Sequence, residues 1–311
     1  MNFNGQNAQQ VLRALFTNLS KVYQGAFDTA APDWDQVATL VPSNSKTNDY
    51  AWMQKFPRMK EWVGEKTLKK LSGHTYSLTN RDFEATVEVD RNDIEDDNLG
   101  IYAPMAQSAG ESAKLWPDDL VFTCLTKGFS QKCYDDANFY SASHKVIGSD
   151  KKTRTDSNLL VAPLSIATLA DAQASFGAAR TLLRGRKDEE GRPLKLMPSL
   201  LVVPPALEDI ANALMTVDRL EDGKPNPYKG AAKVLVSAWL LTDTEWHLLD
   251  TTRVIKPIVF QQRKKPTFVQ QTDQQSDSVF MQKSFRFGAE ARGEAGYGLW
   301  QLAVGSTGAG A

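Results

Sequence analysis

The feature that most constrains this chain is the stretch 50–127, where three different patterns follow one another. A basic segment with several aromatic residues comes first (50–74), and a stretch with the two-residue period of a β-strand follows it (75–89). A run with helical spacing then opens at Asp93 and stops near Gly128. We therefore predict an extended loop that projects from a folded body and is anchored by a long helix.

Opposite charges occupy neighbouring blocks of this stretch. Residues 53–74 hold six basic and two acidic side chains, whereas residues 82–97 hold eight acidic side chains and one arginine. Basic residues interleaved with aromatic ones are typical of single-stranded nucleic-acid binding, and a solvated surface with a few apolar anchors is the simpler explanation. We favour a third interpretation, in which the basic loop of one copy docks on the acidic segment of the next and charge complementarity sets the register. The residues assigned to this contact are Trp52, Phe56, Trp62, Lys66, Lys69 and Lys70 on the basic side, and Asp93, Glu95, Asp96 and Asp97 on the acidic side.

The first 50 residues divide into a helix and a linker. Residues 6–23 place apolar side chains at helical spacing, which predicts a helix. Its apolar face can pack on the core of its own chain or on a neighbouring copy, and the pattern does not choose between the two. Residues 28–50, with Pro32 and Pro42, predict an extended linker with a short turn around 34–40.

The long helix is predicted to span about 93–127. Asp93 is the expected N-cap, because a side-chain oxygen there can accept a hydrogen bond from an unpaired backbone N–H of the first turn. Gly100 is expected to interrupt the helix, and Pro104 can restart it at a first turn. Pro117 is expected to kink the helix or split it in two.

Beyond Gly128 the pattern predicts an α+β architecture with its strands gathered late in the chain. Helices are predicted at 165–183, with Ser165 as cap, and at 206–217. The turn 189–193 is the expected tip of a hairpin. The predicted strands are 194–203, 231–238, 245–250, 254–262, 279–287 and 297–304.

The composition narrows the class of protein. A formal net charge of −1 and a pI near 6.3 argue against a protein that binds nucleic acid with its whole surface. The two cysteines are expected to be reduced thiols. The N-terminus lacks the basic head and apolar core of a signal peptide, and no apolar run approaches the roughly 20 residues of a membrane span. We expect a soluble protein made inside a cell, with no membrane partner.

No pattern of catalytic residues stands out. None of the three histidines is at metal-ligand spacing from another histidine or from a cysteine pair. Cys124, Cys133 and His144 could be combined into a thiol site, but a buried free cysteine is usually a small hydrophobic residue. Ser141 and Ser143 adjoin His144 without the glycines of a nucleophile elbow. We predict no catalytic residue, no metal site and no cofactor.

Separated motifs resemble those of a known family. The run Phe83-Glu84-Ala85-Thr86-Val87, followed by Asp90-Arg91-Asn92-Asp93-Ile94-Glu95-Asp96-Asp97, resembles the hallmark of the Mu-like major head subunits, the gene-product-T family of tailed phages and prophages. The stretches 41–43, 56–57, 61–64, 285–288 and 296–302 are similar to the same family. The resemblance extends from about Pro32 to Val304.

The resemblance implies the Hong Kong 97-type phage capsid fold, which has an N-terminal arm, an extended loop, a peripheral domain with a long spine helix, and an axial domain. Mapped onto this chain, the expected ranges are 1–49 for the arm, 50–90 for the extended loop, 91–159 for the peripheral domain with its spine helix, 160–245 for the axial domain, and 246–311 for C-terminal strands that return to the peripheral domain.

The resemblance also implies a function. It is that of a major capsid protein that self-assembles through hexamers and pentamers into an icosahedral shell around double-stranded DNA, which it contacts non-specifically. The implied partners are a separate scaffold protein, a portal and, as a further option, a decoration protein. The implied location is the virion, after assembly in the bacterial host cytoplasm. Two alternatives stay open: an encapsulin-like nanocompartment shell on the same fold, and an enzyme with an unrecognised site.

Overall fold

The computed structural model describes residues 5–50, 76–95, 99–148, 152–164, 167–188, 190–220, 223–273, 281 and 283–310. Its helices are α1 (Gly5–Thr29), α2 (Trp34–Val37), α3 (Arg91–Glu95), α4 (Ala103–Lys127), α5 (Leu169–Arg184) and α6 (Glu208–Thr216). Short 3-10 turns cover Leu99–Tyr102, Pro205–Leu207 and Trp300–Leu302. The strands are β1 (Ala38–Pro42), β2 (Thr47–Asp49), β3 (Ser77–Thr79), β4 (Arg81–Asp90), β5 (His144–Ile147), β6 (Thr153–Asp156), β7 (Leu159–Leu160), β8 (Leu200–Val203), β9 (Lys233–Val236), β10 (Trp246–Leu249), β11 (Ile258–Gln271), β12 (Ser284–Tyr297) and β13 (Ala303–Ser306).

A four-stranded sheet in the order β1-β11-β12-β4 forms one half of the described fold. β1 runs parallel to β11, and the other two pairings are antiparallel. The predicted alternation over 83–89 is confirmed, because β4 turns Val87 and Val89 inward and leaves the intervening acidic side chains exposed. Aromatic rings join this sheet to α4, since Trp116 lies 5.0 Å from Phe83 and 5.3 Å from Phe260 between ring centroids.

Helix α1 confirms the predicted N-terminal helix and extends it to Thr29. Its apolar face packs on its own chain, against α4 and the four-stranded sheet, with Leu12, Leu15 and Leu19 buried. The two helices approach closely at Gly110, where a Cβ atom would lie 2.4 Å from the carbonyl oxygen of Tyr23. The segment expected as an arm is therefore partly a core element of its own chain.

The long helix begins later than the predicted start at Asp93, whereas the predicted interruption at Gly100 and restart at Pro104 are confirmed. α4 starts at Ala103, and the region before it consists of α3 and a 3-10 turn. Asp93 lies inside α3 and is not the N-cap of the long helix, because Tyr102 occupies the position before α4. Pro117 sits within α4 without splitting it.

The predicted linker 28–50 is more ordered than the sequence suggested. It contains α2, then β1, which adds an edge strand to the four-stranded sheet. The buried carboxylate of Asp118 on α4 holds the start of α2, because it accepts hydrogen bonds from the backbone N–H groups of Asp33 (3.0 Å) and Trp34 (2.7 Å). These contacts supply the capping oxygen that no side chain beside α2 provides.

A five-stranded sheet in the order β7-β13-β10-β8-β9 forms the other half, with α5 and α6 packed nearby. Its helix α5 begins at Leu169 and is capped by Thr168, whose hydroxyl accepts from the backbone N–H of Asp171 at 3.2 Å, so the prediction of Ser165 as cap was wrong. The predicted strand 194–203 shrinks to β8, because Lys195 has a φ of 52° and Pro198 follows it.

Strand β12 is longer than predicted, because it continues through residues 288–296, which lie between the predicted strands 279–287 and 297–304. Gly293 and Gly296 lie within the strand. A Cβ atom at Gly293 would lie 2.5 Å from the carbonyl oxygen of Gln261, and one at Gly296 would lie 2.4 Å from the side chain of Leu78. Glycine at these two positions therefore allows neighbouring segments of the same chain to approach β12 closely, and it does not form a turn.

The strands within residues 246–311 belong to two different sheets. β10 and β13 belong to the five-stranded sheet with β8, whereas β11 and β12 belong to the four-stranded sheet. The C-terminal stretch expected to return to one domain is thus divided between both sheets, and one hydrophobic core cluster joins them. Within the described residues, no helix combines the length and the hydropathy that crossing a bilayer requires.

Candidate assembly surface and a buried polar cluster

The predicted contact residues fall in different parts of the chain. Asp93 and Glu95 belong to α3, at the turn between β4 and the long helix. The remaining predicted contact residues lie outside the described residues: Trp52, Phe56, Trp62, Lys66, Lys69, Lys70, Asp96 and Asp97.

Asp93 makes a local contact within its own chain. The hydroxyl of Tyr102 donates a hydrogen bond to the Asp93 carboxylate and accepts one from the backbone N–H of Asp90 at 3.3 Å. Burial, followed by the hydrogen bond to Asp93, raises the pKa of Tyr102. The Asp93 side chain therefore closes the turn from β4 toward α4, in addition to any contact that it makes with a neighbouring copy.

The acidic residues on β4 are exposed and partly paired inside the chain. Asp82 lies 3.1 Å from Arg292, and Glu88 lies 3.8 Å from Arg286, both across the β4–β12 pair. Within the described residues β4 pairs on one side only, so it is an edge of the four-stranded sheet. Edge strands commonly carry charges that prevent unwanted strand pairing. β4 is therefore a charged edge whose acidity is partly neutralised before any partner arrives.

Several large apolar side chains are exposed elsewhere on the surface. Val254 is 91% exposed, and its carbonyl accepts a hydrogen bond from the hydroxyl of Thr39 on β1 at 3.0 Å; Leu40 on the same strand is also exposed. Other exposed apolar side chains are Ile101, Met105, Ile147, Val161, Met197, Val217, Trp239, Leu241 and Met281. Isolated exposed apolar residues are ordinary on a monomer, and apolar residues surrounded by polar ones are also what subunit interfaces use.

The irregular segment after α4 contains a buried polar cluster. The Cys133 sulfur lies 3.0 Å from Oδ1 of Asp135, and Oδ2 of Asp135 lies 2.6 Å from Nδ1 of His144. The other ring nitrogen of His144, Nε2, lies 3.0 Å from Oδ1 of Asn158. The three groups Cys133, Asp135 and His144 could together hold a metal ion.

Aromatic and cationic side chains close this cluster. The His144 ring stacks on Trp300 with 3.9 Å between centroids and an angle of 3° between the planes. The guanidinium of Arg186 lies 5.2 Å from the centroid of the same indole and donates to the carbonyls of Trp300 (3.0 Å), Ala303 (3.2 Å) and Ser157 (3.3 Å). Burial lowers the pKa of Arg186 to about 10, which leaves it charged at neutral pH.

The acidities within the cluster follow from these contacts. Burial by itself would raise the pKa of Asp135, but the hydrogen bond and charge of His144, with the Cys133 thiol and the Ala137 N–H, lower it below its usual value. Burial and the neighbouring carboxylate raise the pKa of the Cys133 thiol. The cluster therefore consists of a thiol donor and an ionised carboxylate beside the His144 ring, whose two nitrogens each face an acceptor oxygen.

The cluster differs from the thiol site considered from the sequence. Cys133 and His144 do meet, but the third member is Asp135 rather than Cys124. Cys124 lies on α4, and burial raises the pKa of its thiol to about 12. Positions 133, 135 and 144 match no ligand motif, so sequence spacing could not identify the group.

His247 on β10 is a second buried imidazole, with a different environment. Its ring lies 5.3 Å from Tyr140 and 5.8 Å from Phe129, between centroids, and neither ring nitrogen has a hydrogen-bond partner among the described residues. Burial lowers the pKa of His247 to about 3. It is therefore a neutral core residue at physiological pH.

Comparison with known proteins gives the family. The family described as Mu-like prophage major head subunit gpT matches residues 12–165, 161–240 and 241–309. The chain is 32% identical over 293 residues to the major capsid protein of Escherichia phage Mu, which covers 94% of this chain and 72% of that protein. It is 30% identical, with the same coverage, to the Mu-like prophage FluMu major head subunit of Haemophilus influenzae.

Solved structures agree in fold. The procapsid of bacteriophage JBD30 matches with a TM-score of 0.61 and 31% identity, covering 96% of this chain and 75% of that chain. The JBD30 capsid decorated with minor capsid protein trimers matches with a TM-score of 0.57 and 30% identity, covering 68% of this chain and 92% of that chain. A virus-like particle from Pyrococcus furiosus, only 10% identical over 93% of this chain and 97% of that chain, shares the fold at a TM-score of 0.55. The chain therefore belongs to the Mu-like prophage major head subunit family, and it is a major capsid protein with the Hong Kong 97-type fold.

Proposed function

We propose that copies of this chain assemble, as hexamers and pentamers, into an icosahedral shell that encloses the double-stranded DNA of a tailed, Mu-like phage. The observation that carries the proposal is the match to a procapsid subunit across 96% of this chain. The same match, together with relatives that are head subunits, favours a phage shell over a nanocompartment or an enzyme. The proposed role is structural, without catalysis.

The domain roles are part of the proposal. The four-stranded sheet and α4 would serve as the peripheral domain with its spine helix. The five-stranded sheet with α5 and α6 would serve as the axial domain around which capsomers form. Residues 1–49 would act as the arm and 50–90 as the extended loop, although α1, β1 and β4 already pack within their own chain and β1 and β4 are strands of the four-stranded sheet.

The proposed contact between copies joins the basic loop to the acidic region. Asp82 and Glu88 already have arginine partners within the chain. A lysine from a neighbouring copy would therefore have to replace the arginine at each carboxylate or bind beside it. The desolvated anchors would be Trp52, Phe56 and Trp62. Charge complementarity would set the register between copies rather than supply most of the affinity.

A charge-reversal variant tests this contact. Changing Lys66, Lys69 and Lys70 together to Glu should prevent closed shells while the unassembled chain still folds. A matched control reverses the exposed residues Lys21, Lys145 and Lys187, which lie outside the proposed contact. Negative-stain microscopy of both variants decides the question, because shells from the first variant at wild-type yield would eliminate the loop-to-acid contact.

The proposed partners are a separate scaffold protein, a portal and a decoration protein. A decoration partner is supported by the relative whose capsid is decorated with minor capsid protein trimers. Packaged DNA would be contacted weakly and non-specifically, in keeping with a net charge of −1. Shells would form in the bacterial host cytoplasm and become part of the virion.

Electron microscopy with native mass measurement tests the function as a whole. The chain is co-expressed with its neighbouring genes and the particles are purified. Closed shells of uniform size are expected, and nuclease-protected DNA in particles from infected or induced cells would distinguish a phage head from a shell that holds protein cargo. A persistent monomer or dimer under these conditions would refute the proposal that the chain assembles into a shell.

A further inference from the structure

Three potential metal ligands converge in the irregular segment after α4. The sulfur of Cys133, a carboxylate oxygen of Asp135 and a ring nitrogen of His144 all lie within 4.8 Å of one another. His144 is fully buried, Cys133 is nearly so, and the Asp135 side chain is 12% exposed. The group therefore forms a small polar site that opens to solvent at its carboxylate.

The hydrogen bonds of Asn158 fix the tautomer of His144. The amide nitrogen of Asn158 donates to the carbonyl of Phe139 at 2.6 Å, so its Oδ1 is the acceptor of the side chain. That oxygen accepts from the backbone N–H of Ser141 at 2.7 Å and lies 3.0 Å from Nε2 of His144. Nε2 must therefore carry a proton, and the flat stack on Trp300 holds the ring in this orientation.

The second ring nitrogen of His144, Nδ1, faces the carboxylate of Asp135. Nδ1 of His144 lies 2.6 Å from Oδ2 of Asp135, whose other oxygen accepts from the Cys133 thiol and the Ala137 N–H. A neutral imidazole with its proton on Nε2 would direct a lone pair at an ionised carboxylate, which is repulsive. At 2.6 Å a shared proton joins these two atoms, and a metal ion bound by both would replace that proton and move the atoms apart.

We propose that Cys133, Asp135 and His144 bind a divalent transition-metal ion of the Zn²⁺ class. Thiolate, carboxylate and imidazole are the donors that Zn²⁺ takes, and three protein ligands leave a fourth position for water. Of the three ligands, Asp135 is the one whose side chain is partly exposed to solvent. The hydrogen bond from Nε2–H to the Asn158 amide oxygen is the outer-shell contact that orients histidine ligands at metal sites.

Replacement of two protons by one metal ion balances in charge. Without metal, the cluster holds a thiol, a carboxylate and an imidazolium, which together carry no net charge. Binding of one M²⁺ displaces the thiol proton and the Nδ1 proton, so a thiolate, a carboxylate, a neutral imidazole and the ion again sum to zero. Two protons leave for solvent. The ion would therefore add no net charge to a buried site, and it would connect the segment 133–144 to Asn158 and Trp300.

Cobalt(II) is the first probe, because its bonds to thiolate are visible in absorption spectra. The purified full-length chain, freed of metal with a chelator, is titrated with Co²⁺. We expect one ion per chain, a thiolate-to-cobalt charge-transfer band, and release of two protons. The variant Cys133→Ala should lose the band and bind more than about 100-fold more weakly, since even outer-shell changes cost about 10–100-fold.

The second cysteine provides a matched control. Cys124→Ala removes a buried thiol from α4 and should leave the cobalt band and stoichiometry unchanged. Absence of a thiolate band in the wild type, or a band that survives in Cys133→Ala, would overturn the site. The first of these results would leave the cluster as a proton-bridged histidine–aspartate pair.

X-ray absorption of the Zn²⁺-loaded wild type needs no variant and covers the case in which Cys133→Ala does not fold. We expect one sulfur at about 2.3 Å and nitrogen or oxygen neighbours at about 2.0–2.1 Å from zinc. Zinc neighbours that are nitrogen and oxygen alone, with no sulfur, would refute coordination by Cys133.

Discussion

Strand β4 and the segment 129–147 hold their polar residues under opposite conditions. On β4 the acidic side chains are exposed, and their arginine partners across the sheet are also partly exposed. In the segment after α4, His144 and its acceptor Asn158 are fully buried, and the polar atoms between them are hydrogen-bonded. The acidic pattern of β4 is the more conspicuous feature of the sequence. Substitutions in the irregular segment should nevertheless lower the free energy of unfolding more, because a buried polar group is costly once its partner is lost.

Asn158→Ala should give the largest loss of stability. It removes the acceptor of the Ser141 N–H and the donor to the Phe139 carbonyl, and it leaves both unpaired inside the protein. We expect a loss of about 3 kcal/mol in the free energy of unfolding, measured by urea denaturation of the unassembled chain. The exposed Asn92→Ala is the control and should change stability by less than about 0.5 kcal/mol. Equal losses in the two variants would contradict the comparison.

Two adjacent carboxylates on α4 repeat the contrast within one helix. Asp118 is buried and caps α2, whereas Asp119 is exposed and accepts a hydrogen bond from the Thr123 hydroxyl at 3.3 Å. Asp118→Ala should therefore lower stability by about 2 kcal/mol, since it removes hydrogen bonds to a charged acceptor. Asp119→Ala should cost less than about 0.5 kcal/mol. Thermal unfolding followed by circular dichroism would compare the two, and a larger effect at Asp119 would invalidate the proposed capping role.

The pH dependence of stability tests His247, a buried side chain with no hydrogen-bond partner in the part of the chain that the structure describes. The pKa of His247 is about 3 in the folded chain, below the usual 6.5 of the unfolded chain. As pH falls below 6.5, the unfolded chain takes up a proton that the folded chain does not take up until about pH 3, so stability falls across this window by up to about 1.4 kcal/mol per pH unit.

His247→Phe removes this titration and keeps an aromatic ring beside Tyr140 and Phe129. We expect the variant to lose less stability than the wild type between pH 7 and pH 5, as measured by urea unfolding at both values. Equal slopes with pH in the two proteins would indicate that His247 is not the group responsible.

Neutralising the β4 acids should have the smallest effect on folding. Asp82→Asn and Glu88→Gln each break an ion pair between partly exposed side chains, which contributes about 0.5 kcal/mol or less. Urea unfolding of each variant in low and high salt is the measurement. A loss above about 2 kcal/mol would mean that β4 is more strongly coupled to the core than its exposure indicates.

The success of the sequence analysis depended on whether a feature is local. The alternation over 83–89 and the apolar spacing over 6–23 are repeated patterns, and both elements form as predicted. The start of the long helix at Asp93 was predicted from a single capping residue and was wrong, because Tyr102 bonds Asp93 into the preceding turn. The continuation of β12 through Gly293 and Gly296 was not predicted, because the residues that these glycines approach, Gln261 and Leu78, are remote in the chain.

By itself the sequence determined the family, the α+β class and the strongly periodic elements, because periodicity and motifs are written in consecutive residues. Only the tertiary structure decided that β10 and β13 join the five-stranded sheet and that β1 joins β11. It likewise brought Cys133, Asp135 and His144 within reach of one another and seated the imidazole on Trp300. These contacts join residues up to more than 200 positions apart, as between β1 and β11. Their selection depends on burying apolar surface while pairing every buried polar group, and that condition applies to the whole fold rather than to any stretch of it.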